Sequence, residues 1–410
     1  MATVTVGRTY EYSVRDKSGK IVKGRIEANT PAAVANRLKV MGMAPLSIKE
    51  VQNTGLQREI TIPGLGEKVA LKDLAVMARQ MATMISAGLS LLRALSILAE
   101  QTESKPLAKI LVQVRNDVEA GTALSDAMGR HEEFPPLMVN IIRAGEVGGF
   151  LESALLSVAN NYESEVKLRG QIKSAMTYPV VVFCFAILAV VGMLLFIVPI
   201  FQKMFTDLGG TLPAPTQFLV WLSGVMRWAA PLGAVLLIAF SGWWRKHKND
   251  EAVRSRKDPA FLKIPVFGML FKKVAISRFT RNFGTMLGAG VPILQALGIV
   301  GETSGNWVIE RAVRDVQESV RTGQSLAGPL ANHPVFPPMV VQMISVGEDS
   351  GSLEIMLGKI AEFYDQEVEA TTAQLTSLIE PLMIAVLGSL IGGMVIALYM
   401  PMFSVFDLIQ

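Results

Sequence analysis

The sequence predicts a mainly α, polytopic membrane protein: three transmembrane helices, two duplicated cytoplasmic helical bundles of about six helices each, and a small N-terminal ββαβ module. Three observations carry this prediction. First, "FPPLMVNIIRAGEVGGFLE" from Phe134 returns as "FPPMVVQMISVGEDSGSLE" from Phe336, with ten of nineteen positions identical at an offset of 202 residues. Second, half of the 410 residues are hydrophobic and 18% are charged, against roughly a quarter charged in soluble domains, and three long stretches carry no charge. Third, the first fifty residues show a different, period-two pattern.

Taken in order, residues 1–50 are expected to form a small α/β module. "YEYSVRD-KSGK-IVKGRIEA" alternates apolar and polar residues around a Ser-Gly turn, as a hairpin requires. "TPAAVANRLKVMG" has Thr30 as a cap, Pro31 in the first turn and a terminal glycine, which marks a helix, and "APLSIKE" reads as a returning strand. The N-terminus lacks the apolar core of a signal peptide, so this module is expected to stay in the compartment where it is made. A linker follows over 51–70.

The first bundle is assigned to 71–173. "ISAGLSLLRALSILAEQ" has apolar residues at spacings of three and four, the mark of an amphipathic helix. The repeat places Arg79 with Arg281, Gly88 with Gly290, Gly121 with Gly323, Tyr162 with Tyr364 and Pro179 with Pro381, without a gap. Helix breaks are expected at Gly88 and Gly290, followed by Ser90 as a cap in one copy and Pro292 in the first turn of the other. Phe-Pro-Pro opens a new element because a residue before proline disfavours helix. The last helix should run from near Glu152 toward the membrane, with Pro179 or Pro381 kinking it or marking a fresh start.

The membrane segments come from the charge-free runs: 29 residues between Lys173 and Lys203, 17 between Arg227 and Arg245, and 26 between Glu380 and Asp407. About 20 apolar residues span a bilayer. The resulting assignment is helix 174–202, an external loop 203–220, helix 221–244 bracketed by Trp228 and Trp243-Trp244, the second bundle 245–375, helix 376–406, and an external tail 407–410. Lys167, Arg169 and Lys173 before the first span, and Arg245, Lys246 and Lys248 after the second, put the N-terminus and both bundles in the cytoplasm. The acidic flank of the third span, with Glu380, does not contribute to that orientation. The two repeats are then parallel, related by an axis along the membrane normal, whereas many transporters use inverted repeats.

The candidate functional residues lie in the paired element: Pro135, Pro136, Gly145, Glu146, Gly149 and Glu152, with Pro337, Pro338, Gly347, Glu348, Gly351 and Glu354. Two readings stand side by side, a helix–turn–helix corner built on positive-φ glycine and a partner-docking surface centred on the two glutamates. No metal set is read; Glu146 is the single candidate ligand, without sequence neighbours to complete a site. His131 and His333 match across the repeat but lack zinc-ligand spacing. No phosphate-binding loop, nucleophile elbow or zinc-protease motif occurs, so no catalytic residue and no cofactor are assigned and the chain is not expected to be an enzyme. The net charge of +4 makes no case for nucleic acid, and the single cysteine, Cys184, excludes an internal disulfide.

The N-terminal segment, the two F-P-P…G-E-x-x-G-x-L-E elements and the three-span plan together resemble the inner-membrane platform family of type II secretion systems and type IV pilus assembly machines. The resemblance covers nearly the whole chain. It implies a scaffold in the cell inner membrane that docks a cytoplasmic hexameric assembly ATPase. That scaffold couples the motor to extraction of pilins or pseudopilins, beside other inner-membrane assembly proteins and further copies of itself as a homo-oligomer. The alternative from another class is a transporter or channel formed by oligomerised spans, which would need polar groups along a pathway; the spans hold mainly Gly, Ser and Thr beside their apolar residues.

Overall fold

A computed structural model of the chain describes residues 8–15, 21–28, 34–35, 44–50, 68–207, 212–265 and 267–406. It divides into two units, 1–67 and 68–410. In the first unit, strands β1 (Arg8–Arg15), β2 (Ile21–Ala28) and β3 (Ala44–Glu50) form an antiparallel sheet of order β2-β1-β3. Tyr12 pairs with Gly24 on one side and Ile48 on the other, and the β1–β3 register shifts between Ser13 and Val14. Val14 faces Pro45 there, and proline has no N–H to donate to the ladder, so the shift falls at that residue. Of the helix expected over 30–42, Val34 and Ala35 are described as helical; the rest of it, the hairpin turn and most of the 51–70 linker lie outside the described residues.

The second unit begins with six helices: α1 (Leu71–Ser86), α2 (Leu91–Gln101), α3 (Lys105–Glu119), α4 (Leu124–Gly129), α5 (Pro136–Gly148) and α6 (Leu151–Gly192). A π-helical turn at Met193–Ile197 joins α6 to α7 (Val198–Asp207), and α8 (Ala214–His247) follows. Next comes α9 (Glu251–Lys263), and then the repeat: α10 (Phe267–Gly288), α11 (Ile293–Thr303), α12 (Trp307–Arg321), α13 (Ala327–Ala331), α14 (Pro338–Asp349) and α15 (Leu353–Phe406). Helices α2 and α11, and α3 and α12, begin and end at positions related by the 202-residue offset.

The breaks follow backbone chemistry. Gly88 (φ +83°) and Gly290 (φ +69°) end α1 and α10 in the left-handed region that glycine enters freely. The next residues close the ends alike: Leu89 N–H donates to Met84 O and Val291 N–H to Met286 O, both at 3.0 Å. Ser90 sits in extended conformation before α2 but makes no side-chain cap, so the expected hydroxyl cap is absent and backbone geometry starts the helix. Pro292 occupies the cap position of α11 rather than its first turn.

One apolar core runs through both repeats. Helix α1 buries Leu74, Ala75, Met77, Ala78, Met81 and Ala82, a stripe whose alanines let α6 approach with its own Ala154, Leu155, Val158 and Ala159. The equivalents of Met77 and Met81 in α10 are Phe279 and Phe283, fully buried and stacked at 5.7 Å. Arg79 pairs with Glu163 at 2.7 Å, and its repeat equivalent Arg281 pairs with Asp365. The same cross-link thus binds α1 to α6 and α10 to α15.

Helices α6 and α15 lie side by side and parallel. Leu168 clusters with Val368 and Leu375 at one end, and Leu194 and Val198 with Met394, Ala397 and Leu398 at the other. The start of α8 joins the latter cluster through Leu219, and the Thr216 hydroxyl donates to Ala397 O at 2.5 Å, so α8 runs antiparallel to both. All three helices are long and apolar enough to cross a membrane, and in their most apolar windows only 11%, 6% and 17% of residues are buried. Both six-helix bundles therefore hang from the same end of the parallel pair. Pro179 and Pro381 lie inside unbroken helices, so the membrane helix does not begin afresh at either. The repeats differ at one place in this pair: α15 has no π turn where α6 is followed by one.

Candidate functional site

The paired element forms two corners of the same construction. Pro135 and Pro337 are extended (ψ 146° and 151°) because each precedes another proline, and Pro136 and Pro338 open α5 and α14, where their missing N–H costs nothing. Past their last turns, α5 and α14 end at Gly149 (φ +75°) and just before Gly351 (φ +67°), and the chain turns back into α6 and α15. Glu152 and Glu354 stand exposed in the first turns of those helices, where a negative charge suits the helix dipole.

Gly145 and Gly347 lie where the two helices of each corner touch. A Cβ on Gly145 would collide with the Ala154 methyl, and one on Gly347 would stand 3.0 Å from Leu353 Cα and from Met356 Cγ. Glycine is required here by close approach rather than by φ.

Glu146 and Glu348 reach back to a helix about twenty residues upstream. Glu146 Oε1 accepts from Leu124 N–H at 2.6 Å and Oε2 from Ser125 N–H at 2.8 Å. Glu348 accepts from Leu326 N–H at 2.8 Å and from Ala327 N–H at 3.3 Å. Each carboxylate closes the N-terminus of a short helix, α4 or α13, whose leading N–H groups have no partner inside the helix. The helix leading into each corner and the short helix before it are tied at one carboxylate. Among the described residues no group of three or more His, Cys, Asp or Glu is placed to hold a metal ion, around Glu146 or elsewhere. His131 stacks edge-on against Phe134 at 6.4 Å, while His333 lies 3.7 Å from Asp315, so the matching histidines have diverged in their surroundings.

The two corners also differ in what they face. That of the first repeat borders a cavity of about 350 Å³ against the α10–α11 turn, lined by Arg143, Val147, Phe150, Pro292 and Gln295 among others. In the second repeat, Val346 is half exposed. Asp126 and Arg143 form a 3.1 Å ion pair across the α4–α5 groove; their equivalents are Gly328 and Ser345, and a groove of about 580 Å³ stands open there between α13 and α14.

Sequence reasoning missed the links between the repeats. Asn161, almost fully buried, donates to Asn282 Oδ1 at 3.1 Å, and Arg278 pairs with Glu165 at 2.7 Å. Tyr162 lies against this junction, its hydroxyl bonded to the Met138 backbone, and burial pushes its pKa well up. Asn161, Asn282 and Arg278 do not repeat (they answer to Phe363, Gln80 and Val76), so no duplication signal marked them.

Two matched helical bundles, each continuous with a membrane-crossing helix and both at the same end, define a class of duplicated, membrane-anchored scaffold. The chain belongs to the type II secretion system protein F family, whose description matches residues 77–199 and again 279–401, the same 202-residue offset. The N-terminal domain of that family matches residues 1–49. Over 97% of its length the chain is 44% identical to the type IV pilus assembly protein PilC of Thermus thermophilus, covering 98% of that protein. It is 42% identical to the protein of the same name from Myxococcus xanthus, over 97% of this chain and 95% of that one. The type II secretion system protein F of Vibrio cholerae is 32% identical over 98% of this chain and 99% of its own.

Proposed function

We propose that the chain is the inner-membrane platform of a type IV pilus assembly machine. On this reading it docks a cytoplasmic hexameric ATPase on its bundles and couples the motor to pilins drawn from the bilayer. The observation that carries the proposal is mechanical: each bundle is fused through an unbroken helix, α6 or α15, to a membrane span. A displacement of either bundle is thereby delivered into the membrane. The higher identity to the two pilus assembly proteins than to the secretion protein favours the pilus arm of the family. The largely uncovered faces of the spans leave room for pilin helices and for further copies of the chain.

Because Glu146 and Glu348 are turned to backbone N–H groups, the docking role passes to the rim of the corners, with Val346 and Asp349 as its exposed representatives in the second repeat. Photo-crosslinkers at Val346 and at Phe185, an exposed residue of the first span, test the proposal in the native host. The first should capture the assembly ATPase and the second a pilin. Filament assembly with neither product, while both labelled proteins remain functional, would reject it.

A further inference from the structure

Residues 245–272 are the part of the second bundle that duplication does not explain, since the 202-residue offset maps them onto β3 and the linker. From Arg245 to Lys273 the chain carries nine Lys and Arg against three Asp and Glu. The helix α9 shows no apolar stripe toward the bundle; buried polar groups hold it instead. Arg254 pairs with buried Glu310 of α12 at 2.7 Å, and Asp258, also buried, accepts from Trp307 N–H at 2.8 Å. On its other side Lys257 lies over the Trp244 ring at 5.8 Å, fastening α9 to the end of α8. The turn into α10 is tight, because a Cβ on Gly268 would collide with the Leu262 carbonyl.

Held in this way, the α9–α10 corner presents four large apolar side chains outward: Phe261 at 40% exposure, Ile264, Phe271 and Met269 at 61%. Phe261 and Phe271 stack at 5.6 Å. In the same segment Arg245, Lys246, Lys248, Arg256 and Lys263 are all exposed and, among the described residues, in no ion pair. The height of the corner is set by Leu270, which clusters with Leu168 and Leu375, just where α6 and α15 enter their uncharged stretches. An exposed apolar patch in a segment rich in exposed cations, level with the mouths of the spans and joined to the Trp243-Trp244 end of α8 through Lys257, has the composition of a segment lying in a bilayer interface.

We propose that this corner is a membrane-surface foot. Phe261, Ile264, Met269 and Phe271 enter the headgroup layer, and the five unpaired cations hold anionic lipid headgroups. The foot rests on the reading of α8 as a membrane span. It ties the second bundle to the bilayer, whereas the first bundle, without an equivalent among the described residues, is joined to it through α6.

The test uses the full chain in nanodiscs, with Cys184→Ser and a fluorophore on Met269→Cys, or on Glu318→Cys of α12 as the reference. Lipids spin-labelled near the headgroup should quench the label at 269 and spare that at 318, and aqueous iodide should do the reverse. Replacing phosphatidylcholine by an equal mixture with phosphatidylglycerol should strengthen lipid quenching at 269. The variant K246Q/K248Q/R256Q/K263Q, which breaks no ion pair among the described residues, should abolish that gain. Equal iodide quenching at both sites, or a gain that survives in the charge variant, overturns the proposal; the former would leave the patch to a protein partner. A membrane-impermeant thiol reagent added from outside intact cells separates the two ideas: labelling of 269 there would sink the cytoplasmic orientation while lipid quenching kept the foot.

Discussion

Glu146 and Glu348 each hold a carboxylate between two backbone N–H groups of a short helix, a charge-assisted arrangement in which each bond contributes about 1.5–3 kcal/mol. Glu146→Ala should destabilise the protein by about 2 kcal/mol, and Glu146→Gln by less, because the amide oxygen still accepts one bond. Thermal unfolding of the purified variants checks this; wild-type stability in Glu146→Ala would show that the carboxylate is spectator to the fold. Gly145→Ala sets a methyl against Ala154, and overpacking of this kind costs about 1–3 kcal/mol. The same unfolding measurement reads it, and a neutral result would mean the two helices separate freely. The glutamates were visible in the sequence as a repeated oddity, yet their role was not. Their partners lie about twenty residues upstream at helices of six and five residues, too short to leave a periodic signature.

Among the elements, those stopped by glycine or proline were the most legible. Gly88, Gly290 and the Pro-Pro pairs act through φ and the missing N–H, which belong to the residue itself. Helix α9 was not legible as a packed element because its anchors, Arg254–Glu310 and Asp258–Trp307, are long-range and polar. The π turn at Met193–Ile197 was equally hidden, since the repeats align there without a gap. Proline clashes with the carbonyl four residues before it; Pro199 follows this wide turn, while its equivalent Pro401 sits in an unwidened helix. Between α1 and α6, the hydrogen bond from the Arg79 guanidinium holds the Glu163 carboxyl below its ordinary range. A depressed folded pKa stabilises above the unfolded value and loses that contribution as pH falls through the folded one. Glu163→Gln should therefore be slightly less stable than wild type at neutral pH, by less than about 1 kcal/mol for so exposed a pair. The gap should close under acid. Denaturant midpoints at both pH values decide it; a gap that widens in acid contradicts the pairing.

For the whole molecule, the parallel packing of α6 and α15 places both bundles at one end of the pair, so a tag at residue 120 and a tag at residue 320 should be protected together by an intact membrane. Protease digestion of spheroplasts and of inverted vesicles reads this directly, and tags found on opposite faces would break the parallel arrangement. The duplication, its offset and its direction were legible because they repeat. The junction between the repeats, with Asn161, Asn282, Glu165 and Arg278, was not, because of its members only Glu165 has a like residue in the other copy, Glu367.

The 54 residues of α15 amount to a rod of about 80 Å at 1.5 Å per residue. Used as a lever arm pivoting at its bundle end, such a rod swings its far tip by about 7 Å for a rotation of about 5°. On the proposed function, a motor pushing on the bundle then needs only about 5° of stroke to shift whatever rests against the far tip by more than one helical turn.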